Sequence, residues 1–458
     1  MLTDGPQNDT GMAARVLALH PDEYRYRSGP GWMRWTGTHW TRDTGGSLIE
    51  VVSAVVDKCK ESADELPDKA RPAFLKWCDS RQNTKALYAV EQRLRTWRGV
   101  ATADGWDSDP YLMTHMGGTV DLRTGATREH SPADLITHCA PARELFATSL
   151  DGSRFGQFLL EVLPDNELRG YVQRAVGSSL IGVQADHVIF MATGTGRNGK
   201  GTLFRAIANA VGPYYSAISS DMLVEKGHAA HPTAKADLAG RRLVVSSEIS
   251  AGVALDEGLV KELSGGDRIK ARFMGKDQFE FDPSHTLWIC CNEKPRIKGT
   301  DNGIWRRIKV IPFVTTIPLE SVDRWLDDRL KEERDIVLGW AIEGAIAYVE
   351  RGLGECTAVN EATAEYKEGE DVLAMAIDAV CEKGEWLSTT VTELHDALKV
   401  WYLQQGYART APPIPALGRE LTKRGYAVSR TKDSRDRIGL AVKKEWKRPT
   451  STSEWVQR

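Results

Sequence analysis

The stretch His187-Val-Ile-Phe-Met-Ala-Thr-Gly194-Thr-Gly-Arg-Asn-Gly199-Lys200-Gly-Thr202 decides how the 458-residue chain is read. His187–Ala192 is a short apolar run suited to a buried parallel strand. Gly194–Lys200 fits G-x-x-x-x-G-K, and Thr202–Val211 beyond it is helical in composition, so the motif stands in the strand–loop–helix order it requires. Glycines let the backbone from Gly194 through Thr195, Gly196, Arg197, Asn198 and Gly199 wrap phosphate oxygens with its N–H groups. The helix N-terminus adds partial positive charge, and Lys200 is placed to reach a β- and γ-phosphate. The residue after the lysine, ordinarily a Ser or Thr that holds Mg²⁺, is Gly201. The metal is then expected to lean on water and other ligands, with Thr202 as a phosphate or metal contact. A chance Gly-rich turn is the alternative, and the order of elements disfavours it.

A nucleotide site of this kind needs a second strand whose end delivers an acid to the metal and the attacking water. Arg242-Leu-Val-Val-Ser-Ser-Glu248 is such a run, with one acid where many such enzymes have two. Glu248 is therefore expected to serve both water and metal shell. A third run, His285-Thr-Leu-Trp-Ile-Cys-Cys-Asn292, ends in an amide that could sense a γ-phosphate or could simply start the turn to Pro295. Gly303-Ile-Trp-Arg306-Arg307-Ile-Lys-Val-Ile-Pro-Phe313 sets two arginines before a further β-run; an arginine supplied by a neighbouring subunit stabilises transition-state charge in some NTPases, and a solvated pair is the plain alternative. Between the second and third runs, the alternation Ile269/Ala271/Phe273 and Phe279/Phe281 predicts a β-hairpin. It would carry Lys270 and Arg272 on one face and Lys276 at its tip, a cationic set able to grip a phosphate backbone.

Outside this region, residues 22–43 read as short strands around Gly turns, with Trp32, Trp35 and Trp40 as packing residues rather than base-stacking ones. Residues 46–98 carry a helical period, 110–150 return to short extended pieces, and 153–182 form two helices parted at Pro164-Asp165, with Asp165 or Asn166 as the second N-cap. At the other end, 391–407 and 415–424 read as helices and about 426–430 and 437–443 as strands, the order of a winged helix. Arg419, Lys423 and Arg424 are expected on the outward face of its second helix, and Lys432 and Arg435 in the wing. The formal net charge of −3 averages over a +8 segment from Trp401 to Arg458 and a −7 segment from Arg351 to Val400. Such asymmetry suggests a separate nucleic-acid-binding module. Seven scattered Cys without a CxxC pair argue for reduced thiols, against a zinc ribbon. Mean hydropathy is −0.38, no run of about 18 apolar residues occurs, and Met1–Thr10 lacks an apolar leader segment; a cytoplasmic location without membrane association is expected.

The set from Gly194 to Phe313, in this order, resembles the superfamily 3 helicases, most closely the phage/plasmid and poxvirus-type primase–helicase branch. Thr36-Gly-Thr-His-Trp40 and Gly117-Gly-Thr-Val-Asp-Leu-Arg-Thr-Gly125 are similar to that branch's helicase-associated domain. The resemblance implies an α/β fold: an AAA+-like P-loop NTPase motor with a central parallel sheet, preceded by an α+β helicase-associated domain and followed by a small winged-helix domain. On that basis the domains are expected at 1–150, 151–350 (the motor) and 372–446, with an acidic connector at 351–371 and a tail at 447–458. It also implies ATP and Mg²⁺ as cofactors, a hexameric ring, and 3′→5′ movement on single-stranded and forked DNA in phage or plasmid replication. In that scheme Gly194, Gly199, Lys200 and Thr202 cradle ATP and Glu248 is the hydrolytic acid. Asn292 is the sensor, Arg306 or its neighbour Arg307 the trans-acting finger, and Lys276 the tip of the DNA-gripping hairpin. Asp107 and Asp109 form a DxD with nothing around them to support a primase, so a separate primase or replication initiator is the expected partner. Two other classes remain open: a nucleotide kinase-type phosphotransferase, since some kinases also read G-K-G-T, and a DNA-binding initiator that uses ATP only for assembly.

Overall fold

The run of buried β-formers Ile189-Phe-Met-Ala-Thr193 becomes the second strand of a five-stranded, all-parallel sheet. The computed structural model describes residues 2–447, apart from 28, 103, 226–231, 247, 250–251, 273, 276–277, 298–301, 406–410 and 431–434. Lys276 and Lys432 lie outside the described residues. The chain divides into two compact units, 1–363 and 364–458.

The first unit opens with helix α1 (Asp9–Leu19), followed by the antiparallel strands β1 (Tyr24–Arg27), β2 (Gly31–Trp35) and β3 (Trp40–Arg42) and helices α2 (Ser47–Glu61), α3 (Arg71–Arg81) and α4 (Thr84–Arg95). The three Trp pack as read. Trp40 is fully buried and stands edge-on to Trp106, while Trp32 packs against the α1–α4 core. That core, from Met12 to Leu94, is separate from the main one. The small sheet β4 (Leu112–His115), β5 (Gly118–Asp121) and β6 (Thr127–Arg128) instead contributes Met113, Val120 and Leu122 to the core of the phosphate-loop region.

Helices α5 (Arg154–Val162) and α6 (Asn166–Leu180) lead into strand β7 (Ile189–Thr193). The cap of α6 is Asp165, whose carboxylate accepts from the Glu167 and Leu168 amides and so satisfies donors the helix leaves open. After β7 come α7 (Lys200–Val211), β8 (Tyr215–Ile218), α8 (Pro232–Ala236), β9 (Leu243–Ser246) and α9 (Glu257–Leu263). The hairpin β10 (Ile269–Arg272)–β11 (Gln278–Phe281) follows, then β12 (Thr286–Cys291), α10 (Asn302–Trp305), β13 (Ile308–Pro312), α11 (Leu326–Glu332), α12 (Arg334–Arg351) and α13 (Thr357–Glu370). The sheet order is β13-β7-β12-β9-β8. β7, β9 and β12 are buried nearly throughout, as expected of strands covered on both faces. Trp288 on β12 anchors that packing: its ring lies 4.5 Å from Phe190 and 5.2 Å from Phe204, and its Nε1–H donates to Ser179 Oγ at 2.9 Å. Among the described residues no helix is long and apolar enough to cross a membrane.

The second unit begins within α13 and continues with α14 (Val372–Val380), β14 (Cys381–Thr390), α15 (Val391–Gln404), α16 (Ile414–Lys423), β15 (Val428–Arg430) and β16 (Arg435–Val442). The two helices and two strands expected here are present, and the sheet has a third strand, β14, with β16 in the middle. Leu394, Leu398, Trp401, Leu417 and Leu421 form its core, with the α15 residues on one helix face.

Candidate functional site: a cleft at the carboxyl ends of three strands

In parallel α/β sheets, ligands bind outside the carboxyl ends of the strands, where neighbouring connections part. Here the phosphate-loop strand β7 has β12 on one side and β13 on the other, and β9 lies beyond β12. Three strand ends therefore converge. The cleft they form has a volume of about 360 Å³ and is walled by Gly196–Thr202, Arg205, Glu248, Cys290, Cys291 and Asn292. Gly194 is half-buried and outside the wall, and Thr195 is exposed on the loop, also outside it.

The loop is held open by its own contacts. Gly199 caps α7 with φ +78°, and a Cβ there would lie 2.3 Å from Val162 Cγ1. At Gly194 a Cβ would meet Asn198 Nδ2 at 2.0 Å and the Phe313 carbonyl at 2.4 Å. The Asn198 amide is buried and donates to that carbonyl at 3.3 Å, while the Ile317 amide donates to the Arg197 carbonyl at 2.8 Å. Gly199→Ala combines left-handed strain with overpacking against α5 and is expected to cost roughly 2–5 kcal/mol. Denaturant unfolding should show a lower midpoint, and nucleotide binding should fail with it.

Lys200 is almost fully buried, and burial pulls its pKa below the ordinary lysine value, with Glu248 opposing. Its ammonium has three donors and spends them on Gly194 O at 2.9 Å, Asn198 Oδ1 at 3.0 Å and Asn292 Oδ1 at 3.2 Å. Asn292 in turn donates from Nδ2 to Glu248 Oε1. The orientation of that amide follows from its neighbours, since a flip would set NH₂ against an ammonium and a carbonyl oxygen against a carboxylate. Lys200, Asn292 and Glu248, read separately as belonging to three strands, thus form one hydrogen-bonded chain. Cys290 and Cys291 complete the wall, and burial pushes both thiols up to about 12, so they stay protonated.

On the cleft wall Thr202 offers a hydroxyl and Glu248 a carboxylate, whereas the amide oxygens of Asn198 and Asn292 already accept from Lys200. Among the described residues no cluster of three His, Cys, Asp or Glu could hold a metal ion by itself. This donor set fits a metal that arrives with phosphate oxygens and keeps water ligands, not a protein cage.

The remaining candidates are placed differently. Arg306 is exposed, outside its own chain's cleft, and bonded to nothing among the described residues, whereas Arg307 donates to the Gly303 carbonyl at 2.9 Å. The hairpin forms as read, with Lys270 and Arg272 outward and Ile269 and Ala271 inward. Lys270 faces Glu280 at 3.5 Å across the ladder, so that face is mixed in charge. In the second unit Arg419 and Lys423 are exposed on α16, Lys423 beside Glu420 at 2.7 Å. Arg424 departs from the expectation: it lies one residue past the helix and turns inward to pair with Asp371 at 2.8 Å. Arg435 opens the central strand of that sheet. One wall residue had no motif to announce it: Arg205, four residues beyond Gly201 on α7.

A family model described as D5 N terminal like matches residues 13–164, and one described as a family of unknown function (DUF5906) matches 192–307. The candidate helicase L207/L206 of Acanthamoeba polyphaga mimivirus is 26% identical over 325 residues, 65% of this chain and 33% of the relative. The candidate helicase 184R of Invertebrate iridescent virus 6 is 29% identical over 385 residues, 72% of this chain and 39% of the relative. The chain thus spans between a third and two fifths of the length of these relatives. Among solved structures, the apo A form of the NrS-1 C-terminal region superposes with a TM-score of 0.51 at 12% identity, covering 93% of this chain and 99% of that one, a likeness of fold. The phosphate-loop cleft and these matches together make the chain a relative of the D5-like superfamily 3 helicases of viruses.

Proposed function

We propose that the chain is the ATP-hydrolysing motor of a DNA helicase, a 3′→5′ ring translocase of phage or plasmid replication. The observation that carries the nucleotide part is the hydrogen-bonded chain Lys200–Asn292–Glu248 along the cleft. An incoming γ-phosphate would displace the longest of the three Lys200 bonds, that to Asn292, leaving the ammonium on phosphate and freeing the amide. Asn292 then reads phosphate on one side and Glu248 on the other. Glu248, exposed at the cleft, accepts the proton of the attacking water. The backbone from Gly194 to Gly199 and the first amides of α7 hold the phosphates. Mg²⁺, held by the phosphates with Thr202 and Glu248, would neutralise charge developing between the β- and γ-oxygens.

The DNA part rests on the helicase names of the relatives and on the charge distribution. The second unit runs helix, strand, helix, helix, strand, strand, an order that supports a winged helix, with Arg419 and Lys423 of α16 and the segment carrying Lys432 and Arg435 as its DNA side. Lys270, Arg272 and Lys276 would line the track of a single strand. The division proposed is a helicase-associated domain at 1–150, an AAA+-like motor at 151–350, an acidic connector at 351–371, the winged helix at 372–446 and a tail at 447–458. Arg306, outside its own cleft and without a partner among the described residues, supports assembly into a ring in which it serves a neighbour's nucleotide, with a primase or initiator as a separate partner. The test is ATP turnover with and without single-stranded DNA, alongside mass measurement. Turnover is expected to rise several-fold with DNA and to vanish in Lys200→Ala. DNA-independent turnover coupled to phosphoryl transfer onto a nucleoside monophosphate would overturn the reading.

A further inference from the structure

We propose that Arg205 is a phosphate-binding residue of the same subunit, occupying the space that Gly201 leaves open at the start of α7. The residue type missing at 201 is the one that ordinarily brings a metal-binding hydroxyl to the nucleotide. Residues four apart share a helix face, and Arg205 lies back over that first turn. A Cβ on Gly201 would stand 3.1 Å from Arg205 Nη1, close enough that a side chain there would press on the guanidinium. Arg205 Nη2 donates to Thr202 Oγ1 at 3.1 Å, and its Nε donates to Asp327 Oδ2 at 3.1 Å. Nη2 is also 3.1 Å from that Asp327 oxygen, so Nε and Nη2 are engaged while Nη1 has no partner among the described residues, and the side chain is 57% exposed at the cleft wall.

The charges fit a triphosphate. Among the described residues Arg197, Lys200 and Arg205 line the cleft with Glu248 as the one acid. The Asp327 partner is itself 52% exposed. An ion pair between two such exposed groups holds weakly, whereas a guanidinium on phosphate makes charge-assisted, often bidentate bonds. Phosphate can therefore draw Arg205 from Asp327 without leaving a buried charge behind. In this arrangement an arginine supplies on the protein side part of the charge compensation that a hydroxyl at 201 would have supplied through the metal.

This inference rests on the reading of the cleft as a nucleoside triphosphate site, and the experiment separates the two. ATP affinity is measured by calorimetry, with Mg²⁺ and with EDTA, on the full chain and on Arg205→Ala, Arg205→Lys, Gly201→Ser, Gly201→Ser/Arg205→Ala, Asp327→Ala and Lys200→Ala, each checked by its nucleotide-free melting temperature. Arg205→Ala should weaken binding roughly 10- to 100-fold, with the larger loss in EDTA, and Arg205→Lys should recover part of it. The loss on removing Arg205 should shrink in the Gly201→Ser background. Asp327→Ala should bind as tightly as wild type or more so, because a competitor for the guanidinium is gone. If Arg205→Ala binds like wild type in both conditions while Lys200→Ala binds nothing, the cleft reading stands and the Arg205 proposal falls. Equal weakening by Asp327→Ala and Arg205→Ala would make the pair merely structural and also overturn it. A wild type that binds no ATP would overturn both.

Discussion

Glu248→Gln is expected to leave ATP bound and to lower its hydrolysis by roughly 10²–10⁴-fold. The substitution keeps size and shape and keeps an oxygen that can accept the Asn292 Nδ2–H, so the chain from Lys200 through Asn292 survives. What it removes is the basic oxygen that takes the proton of the attacking water. Glu248 is exposed, and among the described residues no second acid lines the cleft to inherit the role. Affinity measured by calorimetry should therefore change little while phosphate release collapses, and strand displacement should collapse with it. Full displacement by Glu248→Gln would mean that another group activates water. Loss of binding as well would mean that Glu248 acts chiefly through the metal shell.

The contrast between the acid and the amide beside it shows what a linear reading can reach. Lys200 and Glu248 were legible because each sits at a fixed place relative to a strand with a strong compositional signature: glycines before one, a β-branched run before the other. Asn292 was ambiguous, because an Asn after a strand serves equally as a turn starter. What resolves its surroundings is strand order. β12 pairs with β7 in parallel, Cys291 opposite Thr193, which brings residue 292 level with the phosphate loop. Sheet order is a property of long-range pairing that no local period encodes. Arg205 escaped for a related reason: it lacks a motif, although its spacing of four from an unusual glycine was a usable signal.

The second unit shows the same limits. α15 and α16 were readable from Leu394, Leu398, Trp401, Leu417 and Leu421 at helical spacing. Strand β14 was not, because its register shifts between Lys383 and Ser388 and so breaks the period of two on which a strand is recognised, leaving Trp386 93% exposed. Continuing the helical period to Arg424 puts it on the outward face, one residue too far. α16 stops at Lys423, and beyond it the period no longer sets direction.

Arg306→Ala is expected to bind ATP normally and to lower kcat by roughly 10³-fold or more, the range an arginine finger supplies. Arg306 is outside the cleft of its own chain and has no partner among the described residues, so truncating it should disturb neither the fold nor the phosphate loop. Arg307, by contrast, holds the Gly303 carbonyl at 2.9 Å. Arg307→Ala should lower stability while leaving turnover per folded chain near wild type. If Arg306 acts on a neighbour's nucleotide, chains carrying Arg306→Ala keep a complete cleft, and chains carrying Lys200→Ala keep a complete finger. Mixed in equal amounts in a head-to-tail ring, about a quarter of the interfaces would pair the two intact halves. Turnover should then recover to about that fraction of wild type, from two preparations that are each inactive alone. The recovery should depend on assembly, rising with total chain concentration at fixed ratio. Two inactive preparations that remain inactive when mixed, under conditions where mass measurement shows mixed rings, would remove Arg306 from the neighbour's site.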